Sequence, residues 1–175
     1  MLSAIRERLA RGREDEGFTL IELMVVVLII AILIAIAIPT FLGARKRAQD
    51  KQAQSNIRIA LGTEETVYTD SQLYVDGSAA AGQTTLKAEE GSLNWDDASP
   101  EAAERDVAVE AVDATFQGVV LKSWSSSGTL FCLLDIQSDL AAAFRGNSTA
   151  GTYYAKVANA TSATACPASI TDTAW

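Results

Sequence analysis

Every residue from Leu23 to Ile38 is Ala, Val, Ile, Leu or Met, and the apolar stretch reaches back through Phe18, Leu20 and Ile21 before it meets Pro39. A helix needs about 20 consecutive, mostly apolar residues to cross a bilayer, so this stretch is long enough to span one. A segment apolar on all sides has to be covered by lipid or by protein, which restricts what the remaining chain can become. One carboxylate, Glu22, interrupts the run near its start. A charge at the bilayer centre costs roughly 2.5–3.5 kcal/mol on insertion scales, which makes an intramembrane acid a functional candidate. A side chain this close to the end of the run also has interfacial water within reach.

The residues Gly17-Phe18-Thr19-Leu20-Ile21-Glu22-Leu23-Met24-Val25, followed by the apolar run and Pro39, resemble the N-terminus of type IV prepilins and of the related type II secretion pseudopilins. The likeness covers roughly residues 12–60 and is one of layout beyond that. It implies an α+β chain: a long N-terminal helix, half transmembrane and half amphipathic, packed on an antiparallel β-sheet as in the type IV pilin fold. It also implies three parts, a leader peptide at 1–17, a hydrophobic filament-core helix at 18–41, and an extracytoplasmic domain at 42–175 that includes the amphipathic half of the helix. By resemblance, a membrane-embedded prepilin peptidase cuts between Gly17 and Phe18 and N-methylates Phe18. Glycine has no side chain to obstruct approach to its backbone. The residues just before Gly17 are acidic, where many prepilins carry a basic one.

The same resemblance gives Glu22 an assembly role, neutralising the new terminal amine of a neighbouring subunit. Phe18 and Glu22 are four apart and share a helix face, so the amine of its own subunit is the other candidate. Pro39 lacks an amide hydrogen and clashes with the preceding turn. It ends the helix or kinks it, and the pilin pattern favours a kink. Ala31 and Ala35 have small-xxx-small spacing, which lets helices approach closely, although alanine is also simply common in spanning helices.

Residues 1–17 are short and charged, with Arg6, Arg8, Arg11 and Arg13 against Glu7, Glu14, Asp15 and Glu16, and belong outside any folded core. Arg45, Lys46, Arg47 and Lys51 follow the apolar run, so the positive-inside rule is a tie, and an N-terminus-inside topology comes from the family. Arg45, Lys46 and Arg47 are candidates to meet lipid head groups or carboxylates of neighbouring subunits, or to form a solvated flank that stops translocation. A conventional secretory signal is the rival, because Ala35-Ile36-Ala37 is an A-x-A site at the far end of the run.

Beyond Pro39 the pattern turns amphipathic. Ala53, Ile57, Ala60, Leu61, Glu64 and Tyr68 recur at helical spacing, which predicts one helix from about Thr19 to Thr69. Residues 70–105 have weak periodicity, with Gly77, Gly82, Gly91 and Pro100, and read as a long connection with a helical turn near Thr85–Glu90 and an anchoring Trp95. Strands are expected at Val107–Ala111, Val119–Trp124, Thr129–Ile136 and Thr152–Val157, with a hairpin turn at Ser125-Ser126-Ser127-Gly128 and a short helix at Ser138–Arg145. One face of that sheet is expected to lie on the amphipathic helix. Cys132 and Cys166, both past the membrane segment, read as a disulfide pinning the polar tail to the third strand.

Chemistry other than assembly has little to stand on. The chain has no histidine, which removes the commonest general base and metal ligand, and its formal charge of −8 gives nucleic acid no basic footprint. No nucleophile elbow, phosphate loop or CxxC is present, so neither an enzyme nor a cofactor is expected. Asp96, Asp97, Asp135 and Asp139 lack any recognisable calcium spacing. Asn147-Ser148-Thr149 and Asn159-Ala160-Thr161 match the glycosylation triplet, which arises readily by chance.

The expected function is a structural subunit of a type IV pilus-like helical filament. Its expected partners are further copies bound through the N-terminal helix, the prepilin peptidase/N-methyltransferase, the pilus assembly machinery and, before assembly, the membrane. The precursor is expected in the inner membrane, N-terminus inside, and the assembled subunit in an extracellular filament. A secretion or competence pseudopilin, and a single-span anchored binding domain that never polymerises, are the alternatives.

Overall fold

The computed structural model describes residues 17–77, 79–96, 106–160 and 165–175. The leader up to Glu16, together with Asp97, Pro100 and Thr161, therefore lies outside the described residues, and Asp96 is described by its backbone alone. The chain divides between Gly43 and Ala44 into two compact units. One helix of 52 residues, α1 (Leu20–Ser71), contributes to both.

In the first unit every large apolar side chain from Phe18 to Leu42 is exposed. The helix continues through Pro39 and does not end there. Proline cannot donate to the carbonyl of Ala35. On the next residue, the Thr40 hydroxyl donates to the carbonyls of Ala37 at 2.9 Å and Ile36 at 3.4 Å, a local polar contact beside the missing amide.

In the second unit the stripe read from the sequence is the buried face of α1. Ala53, Ile57, Ala60 and Glu64 are buried, and Leu61 and Tyr68 are half-buried. The helix stops after Ser71 because Gln72 takes a left-handed conformation, φ +59°, and returns its amide to the Tyr68 carbonyl at 2.6 Å. The expected single turn near Thr85 is a full helix, α2 (Ala80–Glu89), whose Leu86 is completely buried.

Five strands follow in spatial order: β1 (Asn94–Asp96), β2 (Asp106–Val112), β3 (Gly118–Ser125), β4 (Thr129–Ile136) and β5 (Gly151–Val157). Strands β2 to β5 are antiparallel, as expected, whereas the short edge strand β1 pairs parallel to β2. The β3–β4 turn forms at the expected tetrapeptide. Gly128, at φ +88°, donates its amide to the Ser125 carbonyl at 2.9 Å, a conformation glycine adopts without steric cost. No helix forms at Ser138–Arg145, where the chain instead makes a tight Phe144–Asn147 turn with Arg145 and Gly146 both at positive φ.

Both faces of the sheet are covered, not one. Val107, Val109, Val119, Leu121 and Leu133 meet Ile57 and Ala60 of α1 and Leu86 of α2. Val120, Leu130, Leu134 and Ile136 meet Cys166 and Ile170 of the C-terminal tail. Burying each large aliphatic side chain contributes roughly 1.5–3 kcal/mol, so the two layers supply most of the folding drive. The Cys132–Cys166 disulfide forms as expected and joins the tail to β4. A bulge at Glu110, where the β2–β3 register shifts, aims that carboxylate at the tail. It accepts the Cys166 amide at 2.9 Å and pairs with Arg145 at 2.6 Å and Lys122 at 3.4 Å. The tail then crosses the edge of β5, taking the Tyr154 amide on the Asp172 carbonyl at 2.7 Å, and Trp175 packs edge-on against Phe131 and Tyr154.

Candidate functional site

The candidate site is the start of α1. Gly17 and Phe18 precede the helix outside regular secondary structure and are exposed, and a Cβ built at Gly17 meets nothing within 4 Å. The packing of the described residues therefore does not itself demand glycine there. Thr19 is the N-cap. Its Oγ1 accepts the Glu22 amide at 3.3 Å, and Glu22 Oε2 accepts the Thr19 amide at 2.8 Å and the Thr19 hydroxyl at 2.6 Å. This is a reciprocal capping box, which satisfies amides that a helix N-terminus otherwise leaves open. The carboxylate also sits at the positive end of the helix dipole.

Glu22 thus carries two separate capacities. One oxygen, Oε2, holds the first turn together; the other, Oε1, makes no hydrogen bond among the described residues.

The structure brings Gly17, Phe18 and Glu22 into one stretch, with Pro39 further along the same helix, and places Cys132 and Cys166 in the second unit. Thr19 is the residue that the sequence reading left without a role. Its signal was present: a Thr three residues before a Glu, opening an apolar run, is the capping-box pattern. Two of the four acids weighed for calcium, Asp135 and Asp139, are used otherwise. Asp135 is buried and accepts Tyr74 Oη at 2.5 Å, Thr152 Oγ1 at 2.6 Å and Gln137 Nε2 at 3.0 Å, and Asp139 accepts the Ala150 amide at 2.9 Å. Among the described residues no group of three or more His, Cys, Asp or Glu side chains is placed to hold a metal.

Residues 13–38 match the prokaryotic N-terminal methylation motif. The type IV wide pilus major component of Thermus thermophilus is 39% identical over 83 residues, covering 47% of this chain and 63% of that protein. The type IV major pilin protein of Myxococcus xanthus is 40% identical over 62 residues, 35% of this chain and 28% of that protein. The N-terminal part of the chain is similar to that of type IV pilins.

Pilin-type N-termini also serve secretion. The type II secretion system core protein G of Dickeya chrysanthemi is 36% identical over 56 residues, 32% of this chain and 36% of that protein. In all three comparisons the matched stretch is less than two thirds of the relative's own length. No solved structure matches the chain. The motif holds Gly17, Phe18, Thr19 and Glu22 together and closes one residue before Pro39, so it coincides with the capped, apolar half of α1.

Proposed function

We propose that the chain is a structural subunit of a type IV pilus-like helical filament, cut after Gly17, N-methylated at Phe18, and assembled through its N-terminal helix. The observation that supports this most is the uncovered apolar cylinder from Leu23 to Ile38 behind a single capped carboxylate. Such a surface is stable in lipid and equally stable among its own copies. The same face therefore serves storage as a single-span precursor, N-terminus inside, and burial in a fibre core. Repeating one heterologous contact without closure produces a helical filament.

In this reading the parts of the chain are a leader at 1–17, a core helix at 18–41 and an extracytoplasmic domain at 42–175. Cleavage creates an amine at Phe18 with a reference pKa of about 7.7–8.0 before methylation. Glu22 Oε2 remains engaged with Thr19, whose amide survives the cut, and Oε1 takes the ammonium of a neighbouring copy. A buried acid without such a partner is strongly penalised, so the pair fixes register as subunits leave the bilayer. Pro39 lets the helix bend as it enters the fibre. The peptidase, the assembly machinery and the membrane are the partners this sequence of events requires.

A secretion pseudopilin is the second reading, favoured by the similarity to core protein G. Two variants test assembly and processing. Glu22→Ala is expected to leave a stable, processed membrane protein that enters filaments poorly, and filament incorporation at the wild-type level would remove Glu22 from assembly. Gly17→Phe is expected to keep the leader attached, read by intact mass, and normal processing of that variant would refute the cleavage site.

A further inference from the structure

The globular unit carries two sets of charges that form no ion pair among the described residues. Arg45, Lys46 and Arg47 are exposed on α1, and none makes an ion pair or hydrogen bond among the described residues. Further along, α1 and the end of α2 form an open groove of about 230 Å³, lined by Ile59, Gly62, Thr63, Thr66, Glu89 and Glu90. Glu89 is likewise unpaired among the described residues, and Glu90 spends Oε1 on the Ser92 amide at 2.8 Å. Ile59 is 41% exposed on the groove wall, and a Cβ built at Gly62 meets nothing within 4 Å, so the floor is open.

We propose that the Arg45–Arg47 segment of one copy docks in the Ile59–Glu90 groove of a second copy, as a charge-complementary contact between subunits of the filament. It rests on the filament reading and goes beyond it, because it assigns a contact made by the globular units and not by the apolar helix. An arginine fits such a groove in two ways at once: its aliphatic stem covers Ile59 while the guanidinium reaches the two carboxylates. With the α1 helices of the filament running parallel, the contact offsets copies by about 25 Å along α1, the rise of the residues separating the two patches. The leader's charges cancel, so the processed chain keeps the net charge of −8. Copies so charged repel one another unless the cations of one face the acids of the next. Anionic lipid explains the basic segment alone and leaves the groove without a role.

The test uses the full-length chain in its assembling host, reading sheared filament yield against the amount of processed subunit in the membrane. Arg45→Glu with Arg47→Glu, and separately Glu89→Arg with Glu90→Arg, are each expected to lower filament yield about tenfold or more at unchanged processed subunit, as opposing like charges do at an interface. All four changes together are expected to bring the yield back to within about threefold of wild type, because the pairing is restored with its sign reversed. Wild-type yield from either double variant, or no recovery in the combined one, overturns the contact. Loss confined to the basic variant, with reduced membrane retention, assigns that segment to lipid and also overturns it. If the wild-type chain itself forms no filament, it is the proposed function that fails, so the two failures are distinguishable.

Discussion

The two halves of α1 have similar helical backbones and opposite surroundings. From Leu20 to Leu42 no large apolar side chain is covered by its own chain, whereas from Ala53 to Glu64 the helix buries one face completely against the sheet. The second unit satisfies itself with two apolar layers, a disulfide and a clasped tail. The first leaves its whole apolar surface for a partner to cover. Stability and assembly are therefore separable in this molecule, and substitutions of similar chemistry in the two regions should give different readouts.

The largest effect on the self-sufficient unit should come from its covalent link. Replacing Cys132 and Cys166 together with Ser frees a loop of sequence separation 34 and should cost about 4 kcal/mol in thermal or denaturant unfolding on the chain-entropy model. Leu133→Ala, at a fully buried position, should cost about 2–5 kcal/mol, while Ile30→Ala in the exposed cylinder should leave that unfolding transition within about 0.5 kcal/mol of wild type. Equal losses from both leucine and isoleucine variants would break the comparison between the regions.

A graded effect should follow from Glu64, which is completely buried with Oε1 unpartnered and Oε2 accepting the Val75 amide at 3.0 Å. Burial pushes its carboxyl up to about 8, the Val75 amide opposes this, and Asp76 adds to it. The folded state then holds the proton where the unfolded chain has released it. Stability should be complete below the ordinary glutamate range and fall as pH rises from about 4.5 to about 8. Glu64→Gln should flatten that slope in a pH series of unfolding midpoints, and an unchanged slope would assign it elsewhere. The smallest change expected is Thr19→Ala. Losing its cap should cost about 1 kcal/mol at the start of α1, seen as faster amide exchange in the first turn in detergent, with the second unit's midpoint unmoved.

The sequence exposed most of this architecture through strong local signals. The apolar run, the helical stripe from Ala53 to Tyr68 and the Ser125–Gly128 turn all depend on near neighbours, and each lies where its pattern put it. What escaped depends on contacts distant in sequence. Val119–Leu121 and Leu130–Leu134 are continuous apolar runs because the tail covers the second face, and a polar Ala/Ser/Thr-rich tail does not announce that it will lie on a sheet. α2 is built of Ala, Gly and Thr with little periodicity, and Leu86 alone fills its side of the core. The parallel pairing of β1 and the Glu110 clasp with Arg145 likewise join distant residues. At the candidate site the signal was local: Thr19 stands three residues before Glu22 at the head of the apolar run, so the capping box depends on near neighbours alone.

The central claim is that the uncovered half of α1 is completed by other copies once a new N-terminus exists beside Glu22. Intact mass and N-terminal sequencing of the protein in sheared surface filaments test it most directly. The account predicts fibres composed of a chain that begins at N-methyl-Phe18. A chain recovered only as full-length monomer starting at Met1, with no fibres in any growth condition, would contradict it.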